Sequence, residues 1–277
     1  MALLNLFAAA VLAAAPDPAT ASLIAAERGF AADGQRDGLR RAFLAHFDAE
    51  SWLFRPYPVP ALPTLARDAD DAGFLQWEPD FVGVSASGDL GFSSGPWTVI
   101  QPGVGQMLYG HFLSVWKRGK DGVWRVQVDG GVVHAPLTRA AGKVTTVPTT
   151  TASATPLDAA ALNERGRLLD RADDALRESL ARNDAKSPLP AHADSSLHVL
   201  RDDKLPADGA AALELVAKDP PGLGRAPRLA RDVAASGDLG YTLGGERNCK
   251  GCGSYLRVWR WEDGRWRVAV DFSTAQP

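Results

Sequence analysis

The five residues from Gly91 to Gly95, G-F-S-S-G, match the G-x-S-x-G pattern that surrounds the nucleophilic serine of many hydrolases. Such a serine needs a sharp turn from a strand into a helix, which lifts its hydroxyl group above the sheet and directs a backbone N–H at the oxyanion. Here Pro96 and a strand-like run ending at Ile100 follow the motif. The sequence therefore predicts that Ser93 is a strand residue and that the match is a coincidence.

Aspartate and histidine side chains offer a second kind of chemistry. Asp129 and Asp271 end the similar segments DGVWRVQVD and DGRWRVAVD. A carboxyl group on an apolar cavity wall would have a raised pKa and could act as a general base or accept a hydrogen bond from a ligand. His111 could exchange protons with the same ligand. The alternative is structural: a strand-end carboxylate paired with arginine and a half-exposed histidine.

Cys249 and Cys252 are the only cysteines of the chain. In an exported protein they would form a disulfide that tightens a loop between strands, worth roughly 2 kcal/mol on the chain-entropy formula. A redox C-x-x-C usually lies at a helix N-terminus in a βαβ unit, a setting that this sequence does not indicate. Two thiolates do not complete a zinc site, and the histidines have no metal-binding spacing, so we expect neither metal nor cofactor.

Composition limits the partners. The chain has 277 residues, of which 45% are hydrophobic and 23% charged, and its net charge of -3 includes no long run of one sign. Such a surface does not attract a polyanion, so nucleic acid is not an expected partner. No segment is long and apolar enough to predict a membrane span.

The N-terminus favours export. Residues 2–15 form an apolar run with the length of a signal-peptide core, and Ala19-Thr20-Ala21 offers a cleavage site before Ser22. We therefore expect a periplasmic or secreted protein with a signal peptide at 1–21. Because no Lys or Arg precedes the run, a cytoplasmic protein with an apolar N-terminus stays an alternative.

The chain contains an internal repeat. ASGDLG occurs at residues 86–91 and again at 235–240, and in both places a Val-Trp pair and a DGxWRVxVD segment follow. Similar sequences at fixed relative positions indicate a duplicated domain. We predict domains at 22–136 and 157–277, joined by a linker at 137–156 that is rich in Thr, Ala and Pro.

Each copy begins with helical signals and ends with strand signals. Leu23, Glu27 and Phe30 share one helical face behind the capping residue Ser22. Later, apolar residues alternate on both sides of hairpin signals at 88–89, 121–122 and 263–264. Helices followed by an antiparallel meander predict an α+β domain with its helices on one face of the sheet.

The segments SASGDLGFSSGPW, GHFLSVWKRGKDGVWRVQVDGG and RRAFLAHFDAESWLFRPYP resemble the domain-of-unknown-function branch of the nuclear transport factor 2-like superfamily, which includes ketosteroid isomerase and SnoaL-like proteins. The resemblance covers nearly all of the first copy and, more loosely, the second. It implies two tandem cone-shaped domains, each a curved antiparallel sheet around N-terminal helices with a cavity open at one end. The isomerase's catalytic pattern has no match here, so its activity is not implied.

A cone of this kind places the aromatic residues of the first copy near the mouth of its cavity, where they suit a ring-bearing ligand. The second copy has lost most of them, so we expect the first cavity to bind. The ligand-binding candidates are Trp52, Phe54, Tyr57, Trp77, Trp97, His111, Asp129, Tyr241, Tyr255 and Asp271.

Three functions are compatible with this sequence. The first is an exported, non-catalytic module that binds a small apolar or aromatic molecule. The second is a lyase, isomerase or hydrolase that uses Asp129 with His111. The third is a protein-protein module, because superfamily members commonly dimerise through the open sheet face. Two linked copies would form that dimer within one chain, and a homodimer is the alternative.

Overall fold

The structure is a computed structural model that describes residues 16–68, 74–100, 103, 105–137, 144–147, 153–182, 188–220, 222–247 and 251–275. The first domain contains α1 (Pro18–Asp37), α2 (Leu39–His46), β1 (Phe47–Phe54), β2 (Pro58–Pro60), α3 (Ala61–Leu65), β3 (Phe74–Trp77), β4 (Phe81–Val84), β5 (Leu90–Ile100), β6 (Met107–Arg118), β7 (Trp124–His134) and β8 (Thr145–Thr146). The second contains α4 (Ala159–Ala181), α5 (Leu189–His192), β9 (Ala193–Arg201), β10 (Ala207–Asp208), α6 (Gly209–Val216), β11 (Arg228–Val233), β12 (Leu239–Gly244), β13 (Ser254–Glu262) and β14 (Arg265–Thr274).

The two sheets repeat one strand order. The first runs β2-β1-β7-β6-β5-β4-β8 with β3 beside β5, and the second runs β10-β9-β14-β13-β12-β11. The long strands pair antiparallel along the predicted meander, whereas β1 lies parallel to β7 and β9 parallel to β14. The predicted α+β class is confirmed, with mixed rather than wholly antiparallel sheets.

The first helix of each domain packs on one sheet face. Leu23 and Phe30 of α1 are buried with Trp116 of β6, and in the second domain Leu169 of α4 is buried with Trp259 of β13. Asp17, rather than the predicted Ser22, caps α1, since its carboxylate accepts the backbone N–H groups of residues 19 and 20.

A β-bulge changes the side-chain alternation at the end of each meander. Val115 pairs with Val128, but the next residue of β6 pairs with Val126, so Gln127 is the extra residue. As a result Val126 packs beneath α1, whereas Val128 packs on the opposite face of the sheet. The simple alternation predicted for Trp124, Val126 and Val128 is therefore wrong at this point. The β13–β14 pair shifts register at the corresponding place.

The sheet faces away from the helices pack against each other. One continuous apolar cluster contains Leu113, Val115 and Val128 of the first sheet together with Leu243 and Val258 of the second. Within the chain, each domain therefore covers the open sheet face of the other.

The two ASGDLG motifs form turns that contact each other. The hydroxyl groups of Ser87 and Ser236 lie 2.8 Å apart, and each oxygen also accepts the backbone N–H of the other serine at 3.1 Å. In both directions the aspartate of one motif accepts the backbone N–H of the alanine of the other at 3.0 Å. The contact is reciprocal, as at a two-fold axis.

The segment predicted as a linker takes part in the first sheet. β8 pairs in parallel with β4, and Val147 is buried in the cluster between the sheets. At the other end of the domain, Thr20 is buried in the first turn of α1, inside the segment predicted as signal peptide. No helix among the described residues has the length and apolar character needed to cross a membrane.

Candidate functional site

A cavity of about 640 Å³ lies in the first domain between the helices and the sheet. Its wall is mainly aromatic and aliphatic, with charged residues at 40, 55, 68 and 129. The lining residues are Phe30, Leu39, Arg40, Phe43, Leu53, Phe54, Arg55, Leu65, Asp68, Leu75, Trp77, Trp97, Val99, Phe112, Asp129, Gly130 and Gly131. A volume of this size suits one small organic molecule.

Two glycines of β7 let aromatic rings approach the cavity wall. A Cβ atom at Gly130 would lie 3.0 Å from the Phe54 ring, and one at Gly131 would lie 3.0 Å from the indole nitrogen of Trp97. A side chain at Gly130 would also lie 3.1 Å from the Phe272 ring of the second sheet. The sequence VDGGV at the end of β7 thus helps to shape the cavity.

Asp129 supplies the carboxyl group of the inner wall. It faces Ser114 across the β6–β7 pair, and the Ser114 hydroxyl donates to Oδ1 at 2.7 Å. Burial raises the pKa of Asp129 to about 7, because the Ser114 hydrogen bond and the charge of Arg55 offset only part of the lost hydration. Asp129 therefore changes its charge near neutral pH.

Glu27 of α1 is a second carboxyl group with a raised pKa, and its side chain is fully buried. Oε1 accepts the indole N–H of Trp77 at 2.7 Å, while Oε2 accepts the Ser93 hydroxyl at 2.5 Å and the indole N–H of Trp116 at 3.0 Å. Burial raises its pKa in spite of these donors. In the sequence, Glu27 lies on the apolar face of α1, and a glutamate in that position is the feature from which a buried carboxyl group could be predicted.

Ser93 has no features of a nucleophile. It lies within the continuous strand β5, is fully buried, and donates its hydroxyl to Glu27. No strand-to-helix bend is present at this position, so the interpretation of the motif as a coincidence is confirmed.

His111 does not join Asp129. It lies on the face of β6 that carries Leu113 and Val115 toward the second domain, whereas Phe112 and Ser114 face the cavity. Its Nδ1 lies 2.8 Å from Nε2 of His134, and its Nε2 is 3.8 Å from Asp80. The predicted acid–base pair of Asp129 and His111 is therefore wrong, because alternation along β6 separates the two side chains.

In the second domain, charged side chains fill the corresponding interior. Arg257 faces Asp271 across β13 and β14, in the place that Ser114 has opposite Asp129. Its Nε donates to Asp271 at 2.8 Å, and its Nη1 donates to Asp173 of α4 at 3.1 Å. All three side chains are buried.

The Asp271 carboxylate and the Tyr255 hydroxyl are thus occupied within the protein. Arg201 also donates to Asp271, at 2.5 Å, and the Tyr255 hydroxyl donates to Asp173 at 2.8 Å. Burial alone would raise the pKa of Asp271, but the two arginines outweigh it and lower the value. The strand-end carboxylate paired with arginine, the alternative considered from the sequence, describes Asp271 and not Asp129.

The remaining candidates divide between the cavity and other parts of the fold. Phe54, Trp77 and Trp97 line the cavity. Trp52 and Tyr241 pack in the cluster between the two sheets, to which Phe54 also belongs, and neither is among the residues that line the cavity. Tyr57 is not among the residues that line the cavity, and its ring lies 5.8 Å from the guanidinium of Arg247. Cys249 lies outside the described residues, so the disulfide with Cys252 stays a prediction.

Within the described ranges, no group of three or more His, Cys, Asp or Glu side chains has a geometry that could hold a metal ion. The first cavity therefore offers a ligand a mainly apolar wall and one carboxyl group, Asp129, whose pKa is raised.

No family model matches the sequence, and no curated protein matches it. Solved structures similar to this chain include a nuclear transport factor 2-like superfamily protein from Salmonella enterica, at 13% identity over 45% of this chain and 96% of the other, with a TM-score of 0.35. A ketosteroid isomerase-like protein from Erwinia carotovora has 16% identity over 43% of this chain and 99% of the other, with a TM-score of 0.38. A domain of unknown function with a cystatin-like fold from Nostoc punctiforme has 18% identity over 57% of this chain and 88% of the other, with a TM-score of 0.34. Two of these three carry names from the superfamily that the sequence motifs resemble.

Proposed function

We propose that this protein is a non-catalytic binding module whose first-domain cavity takes one small apolar or aromatic molecule. The observation that carries the proposal is the cavity of about 640 Å³ between Phe30, Phe43, Trp77 and Trp97. Burial of apolar ligand surface against such walls is the main source of affinity in sites of this type.

Binding is favoured over catalysis by what surrounds Asp129. Among the described lining residues no histidine, tyrosine or cysteine stands beside it. General acid–base chemistry usually requires a second group within hydrogen-bond reach of the substrate. A carboxyl group without such a partner instead fixes the orientation of a ligand.

The cavity is tested by fluorescence titration with N-phenyl-1-naphthylamine, a neutral apolar dye. We expect saturable binding to the intact chain and its loss in Ser114→Arg, because the new side chain would fill the cavity as Arg257 fills the second domain. Ser195→Arg adds the same charge at an exposed serine and should bind like the unaltered protein. If Ser114→Arg does not fold, Val99→Trp, which reduces the cavity space from its wall, takes its place.

Two results would argue against the proposal: an absence of saturable dye binding, or equal binding in the folded cavity variants. A thermal-shift screen with a panel of metabolites then identifies the natural class of ligand, since a ligand that binds the folded state stabilises it.

We further propose that the protein is exported to the periplasm or outside the cell, with a disulfide between Cys249 and Cys252. The apolar run at residues 2–15 supports this localisation. The packing of the two open sheet faces against each other supports an intrachain pseudo-dimer over a homodimer through those faces. Size-exclusion chromatography of the intact chain should then give a monomer.

A further inference from the structure

We infer that the ligand of the first-domain cavity carries a cationic nitrogen group, such as an amidinium, a guanidinium or a protonated amine, placed against Asp129. This inference rests on the proposed function and specifies the chemical class of its ligand. It comes from a comparison of the two domains, because the second domain holds a cation of its own at the corresponding place.

In the second domain that cation is the guanidinium of Arg257. Beyond its bonds to Asp271 and Asp173, its Nη2 donates to the backbone carbonyl of Gly224 at 2.7 Å. Its central carbon lies 4.0 Å from the centre of the Tyr255 ring. A buried planar cation between carboxylates and an aromatic face is stable only when the cation and each carboxylate have a partner of opposite charge or a hydrogen bond.

The first domain has acidic and aromatic residues at the corresponding positions, but no arginine in the place of Arg257. Phe112 pairs with residue 131 of β7 as Tyr255 pairs with residue 273 of β14, and Asp129 faces Ser114 as Asp271 faces Arg257. Glu27 corresponds to Asp173, because Glu27 accepts the hydroxyl of Ser93 as Asp173 accepts that of Thr242. Ser114 takes the place of the arginine and its short side chain stops at Asp129, while Phe112 replaces Tyr255 and Glu27 replaces Asp173. Asp129 and Phe112, the neighbours that correspond to Asp271 and Tyr255, both line the open cavity.

The two carboxylates of the first domain differ in how many further hydrogen bonds their oxygens can accept. Both oxygens of Glu27 already accept hydrogen bonds from indole or hydroxyl groups. Asp129 accepts one from Ser114 through Oδ1, and within the described part of the chain Oδ2 has no hydrogen-bond partner. A ligand cation would therefore meet Asp129 rather than Glu27.

Arg55 supplies only a weak, distant part of the missing charge. It follows β1 as Arg201 ends β9, but Arg201 donates to Asp271, whereas Arg55 lies 3.9 Å from Asp68 with 53% of its side chain exposed. A cation with an apolar body would neutralise Asp129, and the aromatic walls would contact both the body and the charge.

The test compares three ligands of nearly equal size by isothermal titration calorimetry at pH 8 on the intact chain: 2-naphthamidine, 2-naphthamide and 2-naphthoate. We expect the amidine to bind at least about tenfold more tightly than the amide and the naphthoate to bind most weakly. Asp129→Asn should reduce the amidine affinity to that of the amide. The control Asp121→Asn changes an exposed carboxylate of a hairpin and should retain the preference.

A readout on the unaltered protein keeps the test independent of the variants. At pH 6.5 in two buffers of different ionisation enthalpy, amidine binding should release part of a proton, because the cation favours the ionised form of Asp129, and amide binding should release none. The inference is overturned if the amide or the naphthoate binds as tightly as the amidine, if the preference survives in Asp129→Asn, or if no proton is released. When the dye binds as proposed but the amidine has no advantage, only this inference fails; absent dye binding removes the proposed function itself.

Discussion

The hydroxyl groups of Ser87 and Ser236 lie 2.8 Å apart, where two copies of one six-residue motif meet. Each copy supplies the same donors and acceptors to the other, so the same six-residue sequence forms both sides of the contact. This reciprocity gives a physical reason for the identity of ASGDLG at the two places, whereas the cavity-lining residues of the two copies have diverged.

The motif contact should contribute measurably to stability. Asp238 accepts the backbone N–H of Ala86, and Asp89 accepts that of Ala235. We expect Asp238→Ala to lower the free energy of unfolding by about 1–3 kcal/mol, because a part-buried backbone donor loses its partner. Urea unfolding measures the change. Asp121→Ala, in a hairpin whose aspartate bonds only locally, serves as the control; an equal loss in both variants would contradict the assigned role.

The positions of Ser114 and Arg257 should respond unequally to substitution. Arg257→Leu leaves Asp173 and Asp271 without a shared buried counter-charge, and we expect a loss of about 3–5 kcal/mol. Ser114→Ala removes one hydrogen bond to a cavity wall and should cost about 1 kcal/mol. Chemical denaturation of both variants decides the point. Similar losses would mean that the second domain does not depend on an internal cation.

Asp129 should make stability depend on pH. Its pKa is raised from 3.8 to about 7, so the folded state holds this proton more tightly than the unfolded state. The associated stability is complete below about pH 4 and is lost as pH rises to about 7. The free energy of unfolding of Asp129→Asn, measured relative to that of the unaltered protein, should therefore increase by roughly 2–4 kcal/mol as the pH rises from 4 to 8.5.

Thermal or urea unfolding across that range provides the measurement. Asp121→Asn is the control: hydrogen bonding to Arg125 holds the pKa of Asp121 at about 2, below this pH range, so its stability difference from the unaltered protein should stay nearly constant. A stability difference between Asp129→Asn and the unaltered protein that does not vary with pH would show that Asp129 is not desolvated.

Ser93 should behave as a structural residue. We expect no labelling of the protein by a fluorophosphonate probe, since the hydroxyl is buried and donates to Glu27. Ser93→Ala should lower stability by about 1–3 kcal/mol, because Glu27 loses a donor. The exposed Ser195→Ala should change stability by less than about 0.5 kcal/mol. Covalent labelling lost in Ser93→Ala would instead identify a nucleophile.

Export can be read from the N-terminus of the mature protein. Expression in a secreting bacterial host, followed by intact-mass measurement of the periplasmic fraction, should give a processed chain with one disulfide. Cleavage before Ser22 would remove the Asp17 cap and the buried Thr20 from α1. The same measurement therefore tells whether that first helical turn belongs to the mature domain. An unprocessed chain retained in the cytoplasm would contradict export.

Much of the fold could be predicted because local signals agreed with tertiary structure. The hairpins at 88–89, 121–122 and 263–264 follow from their glycines, which adopt positive φ angles of 70° at Gly88, 78° at Gly122 and 76° at Gly264. The repeat predicted the shared topology. Glu27 was placed on the apolar face of α1, although no local signal named its partners on β5 and β6.

The site was harder to predict because strand alternation must be counted from the correct register. His111 and Tyr241 both face the other domain, which nothing in their own strands indicates. The bulge at Gln127 reversed the alternation just before Asp129. The exchange of Ser114 for Arg257 was visible in the aligned repeats, but its meaning depends on the carboxylates that surround each residue in space.

A crystal structure of the intact chain grown with 2-naphthamidine would show whether a cationic ligand lies against Asp129 in the first-domain cavity. We expect one ligand in the first-domain cavity, its naphthalene ring among Phe30, Trp77 and Trp97 and an amidinium nitrogen about 3 Å from the carboxylate of Asp129. Arg257 should keep its place in the second domain. A ligand found only between the two sheets or on the surface, or a first domain whose side chains leave no cavity, would contradict this expectation.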